Sequence, residues 1–337
     1  MKITNKLFED YLYCKTKCYL HSRSEIGLKS EYYLWQAAQQ KLYIEGAIER
    51  FSNTHGIGVE TSAQFSNPIT SILEKRMIVT SVTISSELME TTVQAIDIKP
   101  QKTTPSLPLV SMIRFCSANK LTRRDKLMAA FDGQVLSEAS GKRFVDAAIV
   151  HGDRQVRTGI SLITLQPETQ KAIKELSALV SATDPPELIL NRHCAECEFQ
   201  SRCHQKAVEK DDLSLLPGMT EKERKKLHAK GIFTTTQLSY TYRPRRSSKS
   251  GGGRPPRYHH SLKALALRTG KIHLLAGDSL TTPGTIVYVD VEGLPEADFY
   301  YLIGFSIQTD NGPIQKSFWA EDLRDEQRMW NAFLKEM

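Results

Sequence analysis

Three cysteines fall within ten residues of one another, as Cys194-x2-Cys197-x5-Cys203, and nothing else in the sequence constrains the fold as tightly. Three further cysteines, Cys14, Cys18 and Cys116, complete a set of six in 337 residues. A chain of this size can build a core without covalent staples, so clustered thiols read as metal ligands or redox groups. Three thiolates are one short of a closed four-ligand site. Cys14 leads as the fourth ligand, with Cys18, His193 and His204 competing. Pairing Cys14 with the distant triplet would close a loop of roughly 180 residues and strongly restrict the unfolded chain. Four thiolates suit a 4Fe–4S cluster or zinc; a histidine among them tilts the choice toward zinc. Free, buried cysteines are the plain alternative, at odds with a CxxC and a third thiol beside the loop sequence DPPELILNRH. Cys116 stands in a strand-like run and reads as core.

At ~150 residues per domain the length predicts two or three domains. Hydrophobic residues at 40% and charged residues at 25% exclude a disordered chain, a collagen-like fibre and a coiled-coil rod. No run approaches the ~18 apolar residues of a membrane helix. The start, MKITNKLFEDYLYCKTKCYL, has no apolar export core, which points to the cytoplasm. The net charge is +7, and its distribution is uneven. Residues 211–280 hold 14 Lys/Arg against 5 Asp/Glu, while the rest of the chain is nearly neutral. One basic segment suits a surface that meets a polyanion such as nucleic acid, DNA above all; the alternative is a solvated lysine-rich helix.

Periodicity divides the chain further. Residues 1–50 keep apolar groups at helical spacing, and residues 59–100 alternate as strands in MIVTSVTIS and ETTVQAIDIK. LVSMIRF reads as another strand, RRDKLMAAFDGQVLSEASG as an amphipathic helix closed by Gly141, and RFVDAAIVHGD as a strand running into a turn. LQPETQKAIKELSALVSA is a second such helix. This order predicts an α/β core with a cysteine-bearing lobe. Four segments follow: a module over 1–210, a small helical unit over 211–240, a basic Gly/Pro linker over 241–260, and a β-β-β-α segment over 261–337. The linker holds six Arg/Lys, no acid, three glycines and three prolines, and cannot pack a core.

LFEDYLYCKTKCYL together with CAECEFQSRC resembles RecB-type nucleases with an iron–sulfur staple, such as the CRISPR-associated RecB-like exonucleases and the AddB helicase-nucleases. The order of parts, with LLPGMTEKERKKLHAKGIFT, YRPRR and VDVEG…YYLIGF following, is similar to RecB-like nucleases fused to a YprB-type ribonuclease-H-like domain. That resemblance implies a restriction-endonuclease-type core with an iron–sulfur staple, a helix-hairpin-helix-like unit and a partial ribonuclease-H-like segment. It implies Cys14, Cys194, Cys197 and Cys203 as cluster ligands. Cys14 is preferred over Cys18 because the family's first cysteine precedes a Tyr-Leu pair, here Tyr19-Leu20.

Metal-dependent hydrolysis of phosphodiesters is the activity so implied. A PD-(D/E)XK site needs carboxylates on adjacent strands to hold Mg²⁺ or Mn²⁺ and a lysine to position water. Asp97-Ile98-Lys99 has that shape, with both side chains on one strand face. The preceding strand carries no acid, and Glu87 and Glu90 read as turn residues, so a degenerate, non-catalytic nucleic-acid-binding fold is the alternative. Asp290-Val291-Glu292 would be the first motif of a DEDD-type site, another metal-holding pair on what reads as a buried strand. The later acids of that motif lie beyond Met337, so this second site is expected to be catalytically incomplete. The Pro217-Gly218 turn would offer helix N–H groups to phosphate. Arg243, Arg245, Arg246, Arg254 and Arg257 would add salt-sensitive contacts to the nucleic-acid backbone.

Overall fold

A computed structural model describes residues 1–55, 59–61, 77–99, 109–243, 259–273, 284–294, 298–309 and 312–337. The chain divides into two compact units. One comprises residues 1–9, 36–175 and 281–337; the other comprises 10–35 and 176–280. The architecture is mixed α/β, with one mixed sheet and a separate antiparallel sheet. No described helix is long and apolar enough to cross a membrane.

The first unit is built on a seven-stranded sheet. Its strands are β1 (Ile3–Thr4), β2 (Val59–Thr61), β3 (Met77–Ser85), β4 (Met89–Lys99), β5 (Leu109–Cys116), β6 (Asp146–His151) and β7 (Val156–Ser161). The order is β2-β3-β4-β5-β6-β7, with β1 pairing in parallel to the start of β4. β3, β4 and β5 run antiparallel in succession. A helix, α4 (Arg123–Ser140), then carries the chain over to β6, which pairs in parallel with β5. Alternation in MIVTSVTIS explains β3: Val82 and Ile84 are buried, whereas Ser81, Thr83 and Ser85 are exposed.

Both faces of this sheet are covered. Ala47 of α3 (Glu31–His55) packs with Ala95, Ile113, Phe115, Ala148 and Val150. The opposite face receives α4, whose Gly133 lies so close to Met112 and Leu162 that a Cβ would sit 3.1 Å and 2.6 Å from their side chains. Helix α4 is fixed at both ends, by a Thr122–Asp125 capping box and by Gly141 at φ 68°. At its middle, Asp132 accepts from Thr91 at 2.6 Å and from Arg114 at 2.5 Å, so this buried carboxylate is fully paired.

The last part of the same unit forms the three-stranded antiparallel sheet, ordered β10-β9-β8. It contains β8 (Val287–Leu294), β9 (Phe299–Thr309) and β10 (Gly312–Trp319). Ile303, Phe305 and Ala320 pack against Met329 and Phe333 of the terminal helix, Glu326–Glu336.

The second unit is helical. It includes α2 (Lys15–Ser22), the 3-10 turn Arg192–Glu196, α6 (Gln200–Glu209), α7 (Glu221–His228), α8 (Thr235–Ser239) and α9 (His260–Thr269). Two helices complete the numbering: α1 (Asn5–Tyr13) and α5 (Leu162–Ser181), each with residues assigned to both units, as α3 also has. One small core holds Tyr19, Leu20, Phe199 and Cys203 with Leu179, Leu188 and Leu190. A second holds Leu213, Leu216, Met219, Leu238 and Ala264.

Candidate functional site

Cys14 sits in the break between α1 and α2, in extended conformation at φ −164°. Its N–H donates to the Asp10 carbonyl at 2.8 Å, and its own carbonyl accepts from Cys18. The triplet is placed by a different device. Asn191 caps the 3-10 turn through its side chain, donates its backbone N–H to Cys194 Sγ at 3.2 Å, and donates Nδ2 to the Tyr13 carbonyl at 3.1 Å. One side chain thereby joins the segment of Cys194 to the residue preceding Cys14. His193 stacks on the Tyr13 ring at 4.0 Å. Cys203 lies on α6, its N–H bonded to the Phe199 carbonyl.

Cys14, Cys194, Cys197 and Cys203 line one pocket, together with Lys17, His193 and Phe199. Of the other candidates, His193 lines the pocket too, whereas Cys18 and His204 are not among the lining residues. Burial pushes the Cys18 thiol up to about 12. Burial also raises the thiols of Cys194, Cys197 and Cys203, Cys197 to about 11, and the nearness of Cys14 raises each further. Thiols in such a setting release their protons only against a compensating cation, and a four-thiolate metal centre supplies one. Backbone N–H groups of Asn191 and Phe199 favour the thiolates of Cys194 and Cys197, as ligand sulfurs require. The donor types suit a thiolate-held centre, but among the described residues no three His, Cys, Asp or Glu side chains are placed so that they could hold a metal ion.

Beside the pocket lies a ring of charges that the sequence reading missed. Lys17, only 3% exposed, stands 2.9 Å from Glu198 and 3.7 Å from Asp10. His21 spans the same two acids, 2.6 Å from Asp10 and 3.1 Å from Glu198. Burial works against the Glu198 carboxylate, but Lys17 and His21 hold it below the usual range. The ring fastens α1, α2 and the residue after Cys197 to one another. Polar residues at helical spacing within KTKCYLH were its only trace in the sequence.

The D-x-K pair lies on β4, an interior strand of the large sheet. Asp97 is 2% exposed, opposite Ile78 of β3 and Ser111 of β5, so neither neighbouring strand sets a carboxylate directly across from it. Lys99 ends the strand, across from Leu109. Glu87 lies in the β3–β4 turn, and Glu90 accepts from Ser85 at 2.8 Å near that turn. At ~3.4 Å per residue, Glu90 is roughly 24 Å along β4 from Asp97 and cannot share a metal with it.

Asp290 and Glu292 lie on β8, and here the expectation of a buried strand fails. Both are exposed, as are Val289 and Val291 between and beside them. The terminal helix packs on β9 and β10, and β8 is an edge strand that reaches their core through Val287 while residues 288–292 stay exposed. Asp290 faces an open groove shared with Tyr288, Ser306 and Lys316.

In the 211–240 unit, Pro217-Gly218 turns the chain with Gly218 at φ 83°. Thr220 caps α7 in a reciprocal box with Glu223. The Thr220 and Glu223 amides are therefore satisfied internally, and Glu221 and Glu223 place negative charge where a phosphate was expected. Lys222, Lys225, Lys226 and Lys230 remain exposed. Arg243 donates to the carbonyls of Tyr240 and Tyr242. Arg245, Arg246, Arg254 and Arg257 lie outside the described residues.

No family model and no curated protein matches the chain. One solved structure, titled "Crystal structure of SSO0001", aligns at 12% identity over 49% of this chain and 69% of its own, with a TM-score of 0.27. A likeness of that size carries no argument about fold or function.

Proposed function

We propose that this chain is a nucleic-acid-binding protein built on a RecB-like module, with a 4Fe–4S cluster held by Cys14, Cys194, Cys197 and Cys203. The observation that carries this reading is the meeting of Cys14 with the distant triplet in one pocket. The cluster would supply a crosslink between the α1–α2 junction and the 192–203 segment. The succession of antiparallel β3, β4 and β5, then α4, then parallel β6, supports a restriction-endonuclease-type core. The exposed lysines of α7 support a polyanionic partner.

Binding is preferred over hydrolysis because Asp97 faces Ile78 and Ser111 rather than a second acid. A phosphodiesterase of this class shares its metal between carboxylates. The second reading, Mg²⁺- or Mn²⁺-dependent cleavage with Asp97 as ligand and Lys99 positioning water, is favoured by one observation. A carboxylate buried on an interior strand is costly to keep without a task.

Anaerobically purified full chain, assayed with labelled DNA with and without Mn²⁺, separates the two. Salt-sensitive binding without cleavage is expected. Cleavage by the wild type that is lost in Asp97→Ala would replace this reading with the nuclease. Absence of any binding at low salt would sink both.

A further inference from the structure

Residues 26–35, between α2 and the first turn of α3, expose an unusual density of apolar and aromatic groups. Ile26 is 95% and Leu28 87% exposed, and Tyr32, Leu34 and Trp35 are exposed as well. The two exposed rings are not scattered: Tyr32 and Trp35 stack side by side, with centroids 5.9 Å apart and planes 23° from parallel. Cations accompany the aromatics throughout this part of the unit. Lys29 lies 5.6 Å from the Tyr33 ring, Lys17 lies 5.8 Å from it, and Lys15 lies 5.7 Å from the Tyr11 ring. Of the two acids nearby, Glu25 is engaged by Arg202.

This stretch is also held in place. Leu28 N–H donates to the Glu198 carbonyl at 2.9 Å. Gly27 approaches Glu198 so closely that a Cβ would lie 2.7 Å from its carbonyl oxygen. Ser30 accepts from Tyr33 N–H at 3.1 Å and starts α3. The exposed rings therefore stand on a segment anchored to Glu198, the residue between Cys197 and Phe199.

We infer that Tyr32 and Trp35, with Lys29 on the adjacent Tyr33 ring, form a stacking platform for single-stranded nucleic acid. Bases have an apolar face of the right size for these rings and a phosphate on each nucleotide for the Lys29 ammonium. A duplex hides those faces in its own stack, so the platform selects unpaired strand. This inference rests on the nucleic-acid-binding reading and narrows it.

The experiment uses the full chain and fluorescence anisotropy, with an unstructured oligothymidylate and a duplex of equal length. Trp35→Ala and Tyr32→Ala alter exposed positions, and each should weaken single-strand binding about tenfold while moving duplex binding less than twofold. Trp35→Phe should restore most of the loss. Lys29→Ala should lower the salt dependence of single-strand binding by about one counterion. Should Trp35→Ala bind the single strand like wild type, the platform is refuted while general nucleic-acid binding stands. Should wild type bind neither strand form, the broader reading falls instead. A change in mass by light scattering on Trp35→Ala, with single-strand affinity unmoved, would reassign the patch to contact between copies of the chain.

Discussion

Cys14 and Cys18 are one helical turn apart, and their side chains meet different surroundings. Cys14 opens onto the pocket of Cys194, Cys197 and Cys203, whereas Cys18 is fully buried within the fold and its thiol is held protonated by that burial. Cys14→Ser should therefore abolish the broad visible absorbance of an iron–sulfur protein purified without oxygen, and Cys18→Ser should keep it. Loss of colour from Cys18→Ser alone would reverse the assignment. The triplet was legible as a group because its cysteines are close in sequence and of one type. Cys14 led the candidates for joining it, on resemblance rather than on geometry, since which of two thiols a turn apart faces a pocket depends on where the helix breaks. The Lys17–Asp10–His21–Glu198 ring was illegible for a related reason. It is drawn from positions that are ordinary surface charges in any isolated helix, and only packing between α1, α2 and the Cys197 segment buries them.

Among the elements, α7 shows how a basic helix is tied down by its one buried charge. Arg224 is 5% exposed and donates to Asp212 at 2.7 Å, beside a more exposed contact to Glu187 at 2.8 Å. Burial opposes the Asp212 charge, but hydrogen bonds from Arg224 and Ser214 hold its carboxyl below the ordinary value. A carboxyl depressed in the folded state stabilises fully above its unfolded value of ~3.9, and that contribution disappears as pH falls through the lower folded value. Acid unfolding of the second unit should begin below about pH 4 and should shift upward in Arg224→Met. The same substitution strands Asp212 and should cost about 3 kcal/mol at neutral pH. A neutral-pH denaturant midpoint indistinguishable from wild type would contradict this. Strand β8 carries the opposite lesson. Its run TIVYVDVEG reads as buried because apolar residues flank the acids on both sides. Burial of a strand is conferred by what covers it, and the terminal helix covers β9 and β10. Strands β3 to β6 of the large sheet were legible in the sequence while β1 and β7 were not, and the register that sets Ile78 and Ser111 against Asp97 emerges only once the strands pair.

At the scale of the whole molecule, the second unit is assembled from two stretches, 10–35 and 176–280, that the sequence separates by the greater part of the first unit. Bringing such stretches together costs loop entropy before any contact rewards it. The small cores around Phe199 and Leu213 must meet that cost with limited apolar area. A crosslink from Cys14 to the triplet removes the same entropy from the unfolded chain, on the order of 5 kcal/mol for a loop of roughly 180 residues. The 36–175 stretch of the first unit has less such need, since its strands β3 to β7 pair largely with sequence neighbours and the Thr91–Asp132–Arg114 contact ties α4 to them. Removing the proposed metal centre from the intact protein by chelation under oxidising conditions should therefore act unequally. Calorimetry should show the transition of the second unit lowered by on the order of 10 °C or more, with that of the first little changed. Hydrogen exchange would assign the loss: amides of α2, α6 and the Arg192–Glu196 turn should exchange faster, while those of β3, β4 and β5 keep their protection. Equal loss of protection in both units would mean that the cysteines stabilise the chain as a whole, and unchanged protection in both would mean that they hold no centre that matters to the fold.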